Sequence, residues 1–217
     1  MGFVAGTLVH TKNGLVPIEQ IKVGDWVLSK PESGEGETRY KLVVNTFTDD
    51  DKALYLVGYY IIDENLPEGG KIERLMVTGN HPFWVRGIGW TRADQLYQNL
   101  DIEFADGRGG YILAVEPMFV TEQPYTAWVE TPHGNKSYDS TGHLVTITGT
   151  QFDLPDHGMH TPFPSLIPVV ASGFDEAYYF KRRVYNFEVA DDHTYFVGEL
   201  GYLTADRLAA TVGQAIT

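Results

Sequence analysis

Hydrophobic and polar positions along the chain fall into short alternating or continuous apolar runs. "DWVLS", "RYKLVVNTFT", "ALYLVGYYII" and "ERLMVTGNHPFWV" are rich in Val, Ile, Tyr and Phe, and each is bounded by Gly, Asp, Asn or Pro. "GYILAVEPMFVTE", "YTAWVETP", "GHLVTITGTQF" and "RVYNFEVADDHTYFVG" continue the series. This is the signature of strands, which favour branched and aromatic side chains between turn formers. Helical spacing is confined to "TRADQL" and to a tail from Asp206 to Val212, both short. The expected fold class is all-β.

One stretch is echoed. "GLVPIEQI" (Gly14 to Ile21) returns 75 residues later as "GWTRADQL" (Gly89 to Leu96), with Gly, an acidic residue, Gln and a branched aliphatic at matching places. Each copy leads into an Asp followed by apolar residues, "GDWVL" and "LDIEF". Such an echo points to two related halves. The same offset pairs Val77 with Gly2, and matches Phe83 and Trp84 to Leu8 and Val9 on paired strands, with one of each pair buried. From about 101 to 182 turn formers crowd in, as in "PHGNKSYDSTGHL" and "LPDHGMHTPFPSLIP". That region reads as an elaborated insertion rather than an independent domain.

Composition narrows the function classes. With 29 acidic against 16 basic residues the net charge is −13, and the longest basic run is Lys181-Arg182-Arg183. Nucleic acid and anionic membranes are disfavoured as partners, because both demand a concentrated positive surface. No apolar run reaches the length of a membrane span, and the start lacks a signal peptide's basic and apolar regions. Met1-Gly2 opens like an acylation signal, but Gly6 stands where that signal needs Ser or Thr. The chain has no cysteine, which removes disulfides and thiolate metal sites. A compartment is not assigned, and a monomer is expected.

The candidates for chemistry are few. Seven histidines are present: His10, His81, His133, His143, His157, His160 and His193. Asp156, His157 and His160 in "DHGMH" have the components of a metal site, but no helix is expected there to bring the imidazoles onto one face. No cofactor or metal is expected. The nucleophile elbow, the phosphate loop and the dinucleotide fingerprint are all missing. "VTGNHPFW" stands out, because Thr78 and His81 bracket a Gly-Asn turn. A turn of this kind holds both side chains on one side of a bend, where they can bond a strained peptide and protonate its leaving nitrogen.

Three stretches, "FVAGTLVHTKNGLVPIEQIKVGDWVLS", "VTGNHPFWV" and "VYNFEVADDHTYFVGELG", occur in an order that resembles the Hint superfamily of inteins, hedgehog autoprocessing domains and bacterial intein-like domains. Together with "GWTRADQL", "EQPYTAWV" and "GHLV", the wording is most similar to the Hint domains of bacterial polymorphic toxins, over roughly residues 2 to 202. The resemblance implies a disc-like β fold with pseudo-twofold halves, a self-processing activity acting on flanking segments, and a secreted or surface-delivered parent toxin. It implies a nucleophile at position 2, amide activation by Thr78 and His81, and further polar groups from Asn186 and His193. It also implies a terminal His-Asn pair at 205 and 206 that cleaves after residue 206.

The chain departs from that pattern where it matters. Gly2 stands at the nucleophile position, and Ala205 and Asp206 stand at the His and Asn positions. Glycine has nothing to attack with, and an ionised carboxylate is a weak replacement for the Asn amide without a proton donor. The expectation is therefore a processing domain spanning 1–206, inactive in this form, followed by a short tail at 207–217 with helical spacing. With Met1 directly before Gly2 and a tail this short, neither an upstream segment to release nor a toxin module is expected. The alternative is a non-catalytic scaffold that keeps the fold and binds a partner through the 130–180 region. An inserted homing endonuclease fits poorly, since the insert is short and acidic. On either main reading, Gly2, Thr78, His81, His193 and the 202–206 segment are expected to meet in one cleft, and the chain to stay intact.

Overall fold

The computed structural model describes residues 1–130, 141–148, 151–153, 161–162, 169–170, 173–174 and 176–208. Its strands are β1 (Leu8–Thr11), β2 (Gly14–Pro17), β3 (Trp26–Ser29), β4 (Arg39–Ile62), β5 (Gly70–Thr78), β6 (Pro82–Val85), β7 (Gly89–Arg92), β8 (Asp101–Glu103) and β9 (Gly109–Val120). They continue with β10 (Thr126–Glu130), β11 (Thr141–Thr148), β12 (Gln151–Asp153), β13 (Thr161–Pro162), β14 (Val169–Val170), β15 (Gly173–Phe174), β16 (Lys181–Val189), β17 (Thr194–Val197) and β18 (Tyr202–Ala205). All but β14 and β15 join one antiparallel sheet system, so the chain is all-β.

The centre runs β1–β17–β18–β6, with β2 hairpinned onto β1 and β7 onto β6. The seam between β17 and β18 relates two matching halves: hairpin, 3-10 turn, strand. In the first half Ile18 N–H donates to Thr7 O at 2.8 Å and Lys12 N–H to Trp26 O at 2.9 Å. In the second, Ala93 N–H donates to His81 O at 2.8 Å and Arg86 N–H to Asp101 O at 2.9 Å. These bonds make Thr7 the counterpart of His81, and β3 the counterpart of β8.

They also correct the register. Val9 corresponds to Phe83, one place from the expected match, and the two strands are not neighbours, because β17 and β18 lie between them. The slip arises in the turns: Lys12-Asn13 joins β1 to β2, whereas Arg86-Gly87-Ile88 joins β6 to β7 and is one residue longer. Val9 and Phe83 are both wholly buried. The same one-place slip makes Phe3, not Gly2, the counterpart of Val77, and the two are also bridged.

Two local expectations changed. The runs expected as separate strands at 39–48 and 53–62 form the single strand β4, which passes the acidic stretch with Asp51 at φ 53°. Along its length β4 pairs with β3, then β16, then β5 and β9, so it is too well bonded to break. "TRADQL" forms only a 3-10 turn, Ala93–Gln95, because extended backbone on either side is held by the sheet; Ile18–Gln20 is its twin.

Strand β8 pairs with β9 and belongs to the second half, although it falls within the span 101–182 expected as elaboration. Beyond it, β10 pairs with β9, and β11 with β10, so this region widens the same sheet. One core contains Phe3, Val9, Val77, Phe83, Tyr195 and Tyr202; a second, containing Leu54, Met118 and Val184, lies under the elaboration. The "DHGMH" stretch and residues 209–217 lie outside the described residues.

Candidate functional site

The N-terminal residues thread between β5 and β16. Phe3 N–H donates to Tyr185 O at 3.0 Å and Tyr185 N–H returns a bond to Phe3 O at 2.8 Å. On the other side Thr78 N–H donates to Gly2 O at 3.0 Å. Phe3, fully buried, anchors this threading, and it places the Met1–Gly2 peptide against the Thr-x-x-His turn. There Gly2 N–H donates to Thr78 Oγ1 at 3.1 Å, and His81 N–H closes the turn onto Thr78 O at 3.0 Å.

His81 is wholly buried, and neither ring nitrogen has a hydrogen-bond partner. Its ring packs edge-on to Phe3, centroids 4.4 Å apart, and lies 6.4 Å from Tyr195. Burial, with a smaller push from the N-terminal ammonium, lowers its pKa to about 3, so the imidazole is neutral at ordinary pH. Gly2 is closed in: a Cβ there would overlap the Tyr185 carbonyl oxygen and lie 2.9 Å from its carbon. The space that a side chain at position 2 would take is filled by backbone.

The other end of the site is built by β16, β17 and β18. Asn186 Nδ2 donates to the backbone carbonyl of Asp206 at 3.0 Å. Its orientation is set by two donors on Oδ1, Tyr195 OH at 2.8 Å and Phe187 N–H at 2.9 Å, so the Asn amide can point only one way. Asp206 Oδ2 accepts from Val189 N–H at 2.7 Å, and Asp206 N–H donates to His193 O at 3.0 Å. His193 Nδ1 lies 3.4 Å from Asp206 Oδ2, outside hydrogen-bond geometry but close enough for charge to be felt.

His193 holds φ 53°, a left-handed conformation that costs a side-chain-bearing residue roughly 1–2 kcal/mol. Burial raises the Asp206 pKa against the opposing pull of the Val189 bond and His193. Ala205 is wholly buried and pairs with Thr194 on β17.

Thus Gly2, Thr78 and His81 form one group, and Asn186, His193 and Asp206 another. Tyr195 joins them, bonding Asn186 through its hydroxyl and facing His81 and Phe3 with its ring. The expected open cleft is a closed, packed contact, because Phe3 and Tyr195 fill the middle. Tyr195, Phe3 and the Tyr185 carbonyl were not picked out from the sequence; as aromatic or backbone groups in apolar stretches they carry no distinguishing signal there. His10 sits elsewhere, its Nε2 3.0 Å from Gly198 O. Among the described residues, no cluster of three His, Asp or Glu is arranged to hold a metal, and no helix is long and apolar enough to cross a membrane.

A family model described as the pretoxin HINT domain matches residues 8–150. The chain belongs to this family. The matched span includes Thr78 and His81 of the Hint domain but neither Gly2 nor the Asn186–Asp206 end. Solved structures agree on the fold. An intein-like domain from Clostridium thermocellum aligns with TM-score 0.54 and 23% identity, covering 94% of this chain and 97% of that one. A DnaB intein from Synechocystis sp. PCC 6803 aligns with TM-score 0.52 and 12% identity, covering 96% and 100%. No curated protein matches.

Proposed function

We propose that this chain is an intein-like autoprocessing domain, spanning 1–206, that is inactive in this form because Gly2 stands at the nucleophile position and Ala205-Asp206 at the terminal His-Asn positions. Its substrate would be its own flanking polypeptide. Gly2 carries the reading. The Met1–Gly2 amide is cradled by Thr78 as a scissile amide would be, yet position 2 has no thiol or hydroxyl to form an ester. His81 beside it is neutral and unpartnered, consistent with a group kept for a proton transfer that no longer begins.

The closure of Gly2 against Tyr185 favours a second reading, a scaffold that has lost catalysis and settled around the loss. The experiment is to add an upstream segment and follow intact mass at neutral pH with and without dithiothreitol. The unaltered domain is expected to keep the segment; its release between Met1 and Gly2 would sink the disabled reading. A combined Gly2→Cys, Ala205→His, Asp206→Asn variant with segments at both ends separates the two. Cleavage marks a processing domain only recently silenced, and inertness marks the scaffold.

A further inference from the structure

Strand β5 is covered along only part of its outer edge. Phe3 bridges Val77, with Thr78 N–H donating to Gly2 O at 3.0 Å and Val4 N–H to Met76 O at 3.3 Å. There the chain turns away, and the Val4 carbonyl accepts from Thr7 Oγ1 at 2.9 Å. Backbone groups alternate sides along a strand, so Ile72 and Arg74, like Met76 and Thr78, direct N–H and C=O away from β4. Among the described residues no hydrogen bond reaches these groups of Ile72 and Arg74, nor the Met76 N–H. Such a row of unpaired groups is a template for another strand.

A groove of about 280 Å³ runs beside this edge, lined also by residues 4–8 and 198–199. On one face of the edge two side chains stand unsatisfied. Ile72 is 47% exposed. Arg74 lies half-buried over Gly58, with no ion pair or hydrogen bond among the described residues, and burial alone lowers its pKa. We propose that edge 72–76 of β5 binds an extended peptide by strand addition, with one peptide carboxylate on Arg74 and an apolar side chain, two residues further on, over Ile72. None of Gly2, Thr78, His81, Asn186, His193 or Asp206 makes this contact, so it stands whether or not the processing reading holds.

The peptide runs antiparallel to β5, in line with residues 2–4 and in their direction. Its residue opposite Arg74 exchanges both backbone bonds with Arg74, and the residue two further on does the same with Ile72. Directly opposed side chains share a face, so the first of these residues is acidic and the second apolar. The residue between them points its N–H away from β5. Main-chain bonds supply affinity, and the alternate side chains supply selectivity. From Ile72 to Met76 the edge spans roughly 13 Å at a strand's rise, room for about five peptide residues.

Charge decides the occupant. A guanidinium drawn partly out of water gains more from a carboxylate than an exposed one does, and it can hold the carboxylate through two parallel bonds. The neighbouring cation is already taken: Lys71, on the opposite face, lies 3.0 Å from Glu73 and also pairs with Glu199. The net charge of −13 weighs against a second copy of this chain and against a strongly acidic segment. A single carboxylate in an otherwise neutral, extended peptide fits.

The test is fluorescence anisotropy with the full chain and a fluorescein-labelled, end-blocked peptide, Thr-Glu-Thr-Val-Thr, at neutral pH and low salt. Saturable binding is expected, roughly tenfold weaker when the peptide's Glu is replaced by Gln. On Arg74→Gln the two peptides should bind alike. Exchanging the amide N–H of the peptide's Glu or Val for an ester oxygen should weaken binding by roughly tenfold. The same exchange at the Thr between them should have much less effect. Ile72→Pro, tolerated on an edge whose N–H faces outward, should abolish binding while circular dichroism stays unchanged. Should that variant unfold, the ester series on the unaltered chain still decides. Absence of saturable binding up to about 1 mM chain overturns the proposal. So does binding indifferent to the position of the ester, which would mean side-chain contact without strand pairing. A Glu–Gln difference that persists on Arg74→Gln also overturns it, because the carboxylate would then be read elsewhere.

Discussion

At the scale of single residues, two positions control what the site can do. Gly2 is held where any side chain meets the Tyr185 backbone, and backbone cannot swing aside as a flexible side chain can. Gly2→Ala is therefore expected to cost about 1–3 kcal/mol in urea unfolding, an overpacking penalty. Gly2→Cys should cost as much, and its thiol-dependent release of an added upstream segment is the outcome expected of a disabled processing domain. His81 makes a different prediction. Unfolded it titrates near 6.5, and folded it stays neutral down to about 3. Between those values the unfolded chain binds more protons, so stability falls as pH drops below 6.5, by up to roughly 1.4 kcal/mol per pH unit. Asp206 acts the other way, since its folded pKa is raised and the folded state gains its proton first; it offsets part of the loss. Urea midpoints at about pH 7 and pH 5 should show the drop, and His81→Leu should flatten it.

Among the elements, the two hairpins offer a test of the twofold relation. Gly14 and Gly89 open β2 and β7 at φ 95° and 100°, and at neither position would a Cβ make a contact closer than van der Waals distance. The cost of a side chain there is conformational rather than steric. Gly14→Ala and Gly89→Ala should each destabilise by roughly 1–2 kcal/mol, and by similar amounts, in denaturant titrations. A large cost at one and none at the other would mean that the hairpins are not equivalent.

For the whole molecule, the seam matters more than either half. β17 and β18 are distant in sequence from both β1 and β6, yet they lie between them, and Phe83 of β6 stacks on Tyr202 of the neighbouring β18 with ring centroids 4.9 Å apart. Neither half can keep its buried face without the last two strands. Phe83→Ala should cost about 3–5 kcal/mol. The loss should appear equally in far-UV circular dichroism and in tryptophan fluorescence, as one transition. Two separated transitions would show that the halves fold apart.

The all-β class, the echo between two related halves and the Thr-x-x-His turn were legible in the chain itself, because alternation, turn glycines and short polar spacings act between neighbours. The candidate residues at 2, 78, 81, 186, 193, 205 and 206 were likewise named from motif order. What no local pattern carried was contact between distant segments. The one-residue slip between the halves came from unequal turns, and the fusion of two runs into β4 came from its several partners. That Tyr185 closes the space at Gly2, and that Asn186 reaches the Asp206 carbonyl, depends on β16 meeting both the N-terminal residues and the end of β18. Burial is likewise a property of the assembled core: it makes His81 neutral and holds the proton on Asp206 more tightly, and neither shift exists until water has been excluded from around them.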